Sequence, residues 1–158
     1  MRYDTYSETR FMPHPYVQNV LHIVFSTKGR VKSIPPQFLP RMWAYVAGIC
    51  RNHKIEVHAV GGWNDHIHLL VEIPATASPA QTVLTIKSNS SRWAREEGLD
   101  FAWQEGYGAF SVCASHMPVV IQFIRDQEFH HRKASFDGEF ISLLNEHGLK
   151  FDPKFIFG

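Results

Sequence analysis

The sequence predicts an α+β domain built on an antiparallel sheet. Short runs rich in β-branched and aromatic residues alternate with longer runs whose apolar positions recur every three to four residues. Two of the short runs, 55–62 and 66–73, lie so close together that only a hairpin can join them. With 158 residues, 44% hydrophobic and 20% charged, the chain is long enough to bury one core without staples.

Residues 1–15 have no clear period and read as a flexible leader, which leaves 16–158 as a single domain. Residues 18–27 form a first strand that ends in the basic turn Lys28-Gly29-Arg30. Pro35-Pro36 opens a helix to about Asn52, with Phe38, Met42, Tyr45, Val46 and Ile49 on one face. The hairpin follows, with Gly61-Gly62 and Asn64-Asp65 as its turn residues. Ser78 is an N-cap and Pro79 a first helical residue for a helix that stops at Gly98; Val83, Ile86, Ser90 and Trp93 line its inner face and Lys87, Ser91 and Arg95 an outer row. A fourth strand covers 106–113, one helix runs from about Met117 through His131, and another spans 136–147. The order strand, helix, strand, strand, helix, strand is the ferredoxin-like βαββαβ arrangement, helices on one face of the sheet, with extra C-terminal helices.

Several classes are excluded or left unsupported. No apolar run is long enough to span a bilayer, and the N-terminus lacks the layout of a signal peptide, so the expected place is the cytoplasm. Cys50 and Cys113 form neither a disulfide framework nor a metal spacing and read as buried thiols. A net charge of +1 does not advertise nucleic acid; only local clusters of basic residues do.

The informative stretch is Asp65-His66-Ile67-His68-Leu69-Leu70-Val71. On a strand, His66 and His68 point to one face and Ile67 and Leu69 to the other, so two imidazoles stand side by side where they can grip a divalent metal. A second stretch, Phe123-Ile124-Arg125-Asp126-Gln127-Glu128-Phe129-His130-His131, sets Phe123 and Gln127 one helical turn apart, with His130 and His131 a turn further. A Gln oxygen added to two imidazoles makes an open N,N,O site apt for Mg²⁺ or Mn²⁺.

These two stretches, with the run Trp103-Gln104-x-x-Tyr107-x-x-Phe110-Ser111-Val112 between them, resemble the HUH single-tyrosine transposases of single-strand insertion sequences, a group that takes in the REP-associated tyrosine transposases. The resemblance covers most of the chain and implies that His66, His68 and Gln127 are ligands of a divalent metal, Mg²⁺ or Mn²⁺. In that family a tyrosine four residues before the glutamine attacks the DNA phosphate and forms a 5′-phosphotyrosine; here that position is Phe123. A phenylalanine has no oxygen, so the resemblance implies a transposase whose cleavage step is disabled in this chain. It fits either a natural member that lost cleavage or a deliberate one-atom removal, and the intact metal ligands favour the second.

The resemblance further implies single-stranded or hairpin DNA as partner and a homodimer whose active site is shared between chains. Candidate phosphate contacts are Lys28, Arg30 and Lys32 after the first strand and Lys87, Arg92 and Arg95 on the second helix, with His130 and His131 supporting the site from behind. The alternatives are a non-cleaving DNA-binding or regulatory derivative, and a metal-dependent hydrolase in which water is the nucleophile.

Overall fold

The computed structural model describes residues 16–156; the leader 1–15 lies outside the described residues. The elements are β1 (Val20–Ser26), α1 (Leu39–Asn52), β2 (Glu56–Trp63), β3 (His66–Glu72), α2 (Pro79–Glu96), β4 (Gly108–Ser111), α3 (Met117–Arg125), α4 (Gln127–His131) and α5 (Phe136–Glu146). The sheet order is β2-β3-β1-β4 and every neighbouring pair is antiparallel. This is the expected split βαββαβ topology.

Alternation along the central strands makes two different faces. Leu21, Ile23 and Phe25 of β1, with Ile67, Leu69 and Val71 of β3, pack against Met42, Val46 and Ile49 of α1 and Val83 and Ile86 of α2. The opposite face carries Val20 and Leu70 under Val120 and Ile124 of α3, and Val24 and Phe110 under Phe136, Phe140 and Leu143 of α5. The C-terminal helices therefore form a third layer over the face that α1 and α2 leave bare. All seven residues of β1 are buried, as a central strand covered on both sides must be.

Three details differ from the sequence reading. The hairpin turn is only Asn64-Asp65; Gly61 and Gly62 belong to β2, and Gly61 lies directly beneath α3, where a Cβ would press on the Ile124 backbone. The expected single helix from Met117 to His131 breaks at Asp126, whose φ of −92° and ψ of 16° end α3 one residue before α4 begins. Cys50 is buried as expected, but Cys113 is exposed. No helix among the described residues is long and apolar enough to cross a membrane.

Candidate metal centre

His66 and His68 stand on the face of β3 that the C-terminal helices cover, and both are fully buried. Each ring is fixed from behind. His66 Nδ1 lies 2.7 Å from Asp65 Oδ1, supplied by the hairpin turn. His68 Nδ1 lies 2.8 Å from Nε2 of His22, which sits on β1 beside it and is buried as well. A second partner on the far ring nitrogen is what orients an imidazole used as a ligand.

The two Nε2 atoms face α4 and α5. Gln127 Oε1 is 2.8 Å from His66 Nε2 and 2.9 Å from His131 Nε2. The break at Asp126 preserves the expected face, since Gln127 Nε2 still reaches the Phe123 carbonyl oxygen at 3.4 Å. Glu139, on the first turn of α5, places Oε1 at 2.6 Å from His68 Nε2 and 3.9 Å from His66 Nε2, and Oε2 at 3.1 Å from His131 Nε2. Donor atoms of His66, His68 and Glu139 all lie within 4.8 Å of one another.

Glu139 escaped the sequence reading as a site residue, whereas His22 is echoed in the family resemblance and reads equally as a satisfied core histidine. The signal for Glu139 was present: it lies three residues after Phe136 and four before Leu143, both buried, so an acid occupies the inner face of an amphipathic helix. His131, expected only as support, touches both Gln127 and Glu139. His130 instead packs its ring 5.2 Å from that of Phe123.

Burial and the contacts with Glu139 compete in the titration of this cluster, and burial prevails at His68 and His22. It pushes the His68 imidazole down to about 4, against the opposing pull of its bond to Glu139. Burial likewise sets His22 well below the usual imidazole value, helped by neighbouring His68. For Glu139 burial alone would raise the carboxyl, but the bonds from His131 and His68 win and hold it well below the carboxylate range. His131 is raised because Glu139 outweighs its partial burial. At neutral pH the cluster thus presents an ionised carboxylate and a neutral His68, the protonation states that metal ligands require.

The donor set fits a divalent cation on one further ground. If the His66 Nδ1 proton is given to Asp65, the Nε2 lone pair faces the Gln127 amide oxygen at 2.8 Å, acceptor against acceptor. Such a contact calls for a proton or a cation between the two atoms. Two imidazoles with an amide and a carboxylate oxygen suit a Mn²⁺-type ion better than a closed zinc site.

Phe123 brings its ring edge-on to His68 at 5.4 Å and to His22 at 6.1 Å. It borders a cavity of about 220 Å³ lined also by His22, His116, Glu139 and His147. Among the described residues no tyrosine lines that cavity; Tyr107 borders a separate one with Phe136 and Phe140.

The predicted basic residues separate into two groups. Lys28 and Lys32 are exposed, and Arg30 reaches α5 through a 2.8 Å ion pair with Asp137. Lys87 is not on an outer row: its half-buried ammonium donates to the carbonyl oxygens of Gln104, Glu105 and Gly106 at 2.6, 3.0 and 2.7 Å. Arg92 bonds Asn89 within α2 and Arg95 bonds the Phe101 carbonyl, both on the helix layer opposite the histidines.

A family model described as "Transposase IS200 like" matches residues 16–127, more than two-thirds of the chain. The chain belongs to this family. The match includes His66, His68 and the Phe123 position and ends at Gln127, so Glu139 and α5 lie beyond it. Two solved structures share the fold. One is a candidate transposase of Deinococcus radiodurans R1, with 17% identity, a TM-score of 0.59, and coverage of 72% of this chain and 94% of that one. The other is a REP-associated tyrosine transposase bound to a REP hairpin, with 13% identity, a TM-score of 0.58, and coverage of 74% of this chain and 71% of that one. No curated protein matches the chain.

Proposed function

We propose that this IS200-like transposase binds single-stranded or hairpin DNA and a divalent cation, Mg²⁺ or Mn²⁺, at His66, His68 and Gln127, and that its own cleavage step is disabled. The observation that carries this reading is the convergence of His66 Nε2 and His68 Nε2 on Gln127 and Glu139, with the ring of Phe123 edge-on to His68 at 5.4 Å. A bound cation supplies polarisation of a phosphate oxygen at this point. Asp65 and His22 hold the two imidazoles in place, and Gln127 and Glu139 offer the oxygen donors.

Covalent nicking forms a bond from a phenolic oxygen to phosphorus and breaks the bond from phosphorus to the 3′ oxygen, which leaves as a hydroxyl. Position 123 holds no oxygen, so the first bond does not form. Loss of a covalent nucleophile lowers an enzymatic rate on the order of 10⁶-fold. The bound DNA strand runs past Lys28, Arg30 and Lys32, with Arg30 tied to the same helix that carries Glu139. A homodimer belongs to this reading, although one chain alone supplies the His66, His68 and Gln127 donors; sedimentation with and without hairpin DNA distinguishes one copy from two.

The cavity beside Phe123 and Glu139 favours a second reading, in which water enters and acts as nucleophile. A denaturing gel of end-labelled single-stranded DNA with Mn²⁺, run with the chain and with Phe123→Tyr, separates the readings. A protein-linked band with Phe123→Tyr only supports the proposal. Cutting by the chain as it stands, with no linked band, supports water. Binding without cutting by either form points to a DNA-binding derivative.

A further inference from the structure

A second group of ligand atoms lies at the other end of the β2–β3 pair. Glu56 and Glu72 are direct partners across the two strands, so two carboxylates oppose each other, a destabilising arrangement unless something neutralises it. Among the described residues neither forms an ion pair with a lysine or arginine, although Lys54 lines the same shallow pocket; the His58 ring approaches, its Nε2 lying 3.5 Å from Glu72 Oε2. That contact does not satisfy the imidazole: His58 Nε2 is buried and makes no hydrogen bond.

The backbone places the ring there. Val57 pairs with Val71 and Ala59 with Leu70, which leaves His58 as the extra residue of a β-bulge. Bulges re-aim a side chain, and this one brings His58 to the two carboxylates. Donor atoms of Glu56, His58 and Glu72 lie within 4.8 Å of one another. Glu72 is six residues along β3 from His66, roughly 20 Å at the rise of a strand, so the cluster is separate from the first centre.

We propose that Glu56, His58 and Glu72 bind a second divalent cation and clip the start of β2 to the end of β3. One imidazole with two carboxylates selects a borderline ion that accepts nitrogen and oxygen together, Zn²⁺ ahead of Mg²⁺. The bound ion offsets the opposed carboxylates and gives the orphaned Nε2 its partner. The assignment does not rest on the function proposed for the first centre.

Calorimetric titration of the full chain with Zn²⁺ tests it. The expected result is one Zn²⁺ equivalent more in the chain than in Glu72→Gln or His58→Asn. The His66→Ala/His68→Ala form is expected to keep the equivalent that Glu72→Gln removes. Glu72→Gln is a near-isosteric change at a partly exposed position, so it does not depend on refolding the core. Binding of as many equivalents by Glu72→Gln and His58→Asn as by the unaltered chain overturns the proposal.

Discussion

Gly61→Ala is the substitution that links the packing of this fold to its candidate metal centre most tightly. Gly61 sits on β2 where α3 crosses, and a Cβ there would press on the Ile124 carbonyl oxygen while standing 3.0 Å from Ile124 Cγ2 and 3.2 Å from its carbonyl carbon. Most of what it meets is helix backbone, which cannot rotate aside. The helix must lift by roughly 1 Å, and overpacking of this kind costs about 1–3 kcal/mol. For a chain of this size each kcal/mol moves the melting point by about 2–4 °C, so Gly61→Ala is expected to melt roughly 2–12 °C lower. Gln127 lies three residues beyond Ile124, and its 2.8 Å contact with His66 opens as α3 lifts. Loss of one well-placed donor lowers Mn²⁺ affinity about 10–100-fold. Gly48→Ala is the control, since a Cβ on that α1 residue meets nothing within 4 Å and alanine is the better helix former by about 1 kcal/mol. Thermal melting and Mn²⁺ calorimetry read both effects. If Gly61→Ala melts with the unaltered chain and binds Mn²⁺ equally well, α3 does not position the centre.

Other expectations follow from single contacts. Glu139→Gln removes the carboxylate beside His68 and is expected to weaken Mn²⁺ binding by at least about 10-fold, read by calorimetry. His22→Phe keeps a ring on β1 but frees His68 Nδ1, and a similar 10–100-fold loss of Mn²⁺ affinity is expected with little change in DNA affinity. Lys87→Met leaves three carbonyl oxygens without their ammonium donor and is expected to cost about 1–3 kcal/mol in denaturant unfolding, with Mn²⁺ affinity unchanged. For pH, the folded His68 imidazole titrates at about 4 against 6.5 in the unfolded chain, so the unfolded chain takes up its proton first as pH falls. The stability that depends on neutral His68 is present above pH 6.5 and is lost towards pH 4, on the order of 3 kcal/mol at about 1.4 kcal/mol per pH unit. Depression of the Glu139 carboxyl adds a further loss below its ordinary value of 4.5. Melting curves from pH 8 to about pH 2 follow both, and His68→Asn is expected to flatten the upper part of that profile.

The placing of His66 and His68 on one face could be read from alternation, because period 2 leaves no other arrangement once Ile67 and Leu69 enter the core, and the β2–β3 pairing from their closeness in sequence. The glutamine was legible through the family resemblance, which gives its place four residues after Phe123 a meaning, and the break at Asp126 leaves the two on one face because the Gln127 to Phe123 bond survives it. Glu139 was harder to find, since its partner His68 lies 71 positions away on β3 and no local pattern ties an acid on α5 to a histidine on a strand. Lys87 misled for a related reason: helical spacing put it with Ser91 and Arg95, while the loop before β4 folds back onto its ammonium. Gly61 and Gly62 read as turn residues because glycine is the usual turn former, whereas Gly61 serves the close approach of a helix.

The central claim is that one cation lies between His66, His68, Gln127 and Glu139, and an anomalous difference map from crystals soaked in Mn²⁺ tests it most directly. The account predicts a peak about 2.0–2.3 Å from Nε2 of both histidines, with oxygens of Gln127 and Glu139 in the same shell. No peak at that point, with the Glu139 carboxylate still bonded to His68, would contradict it.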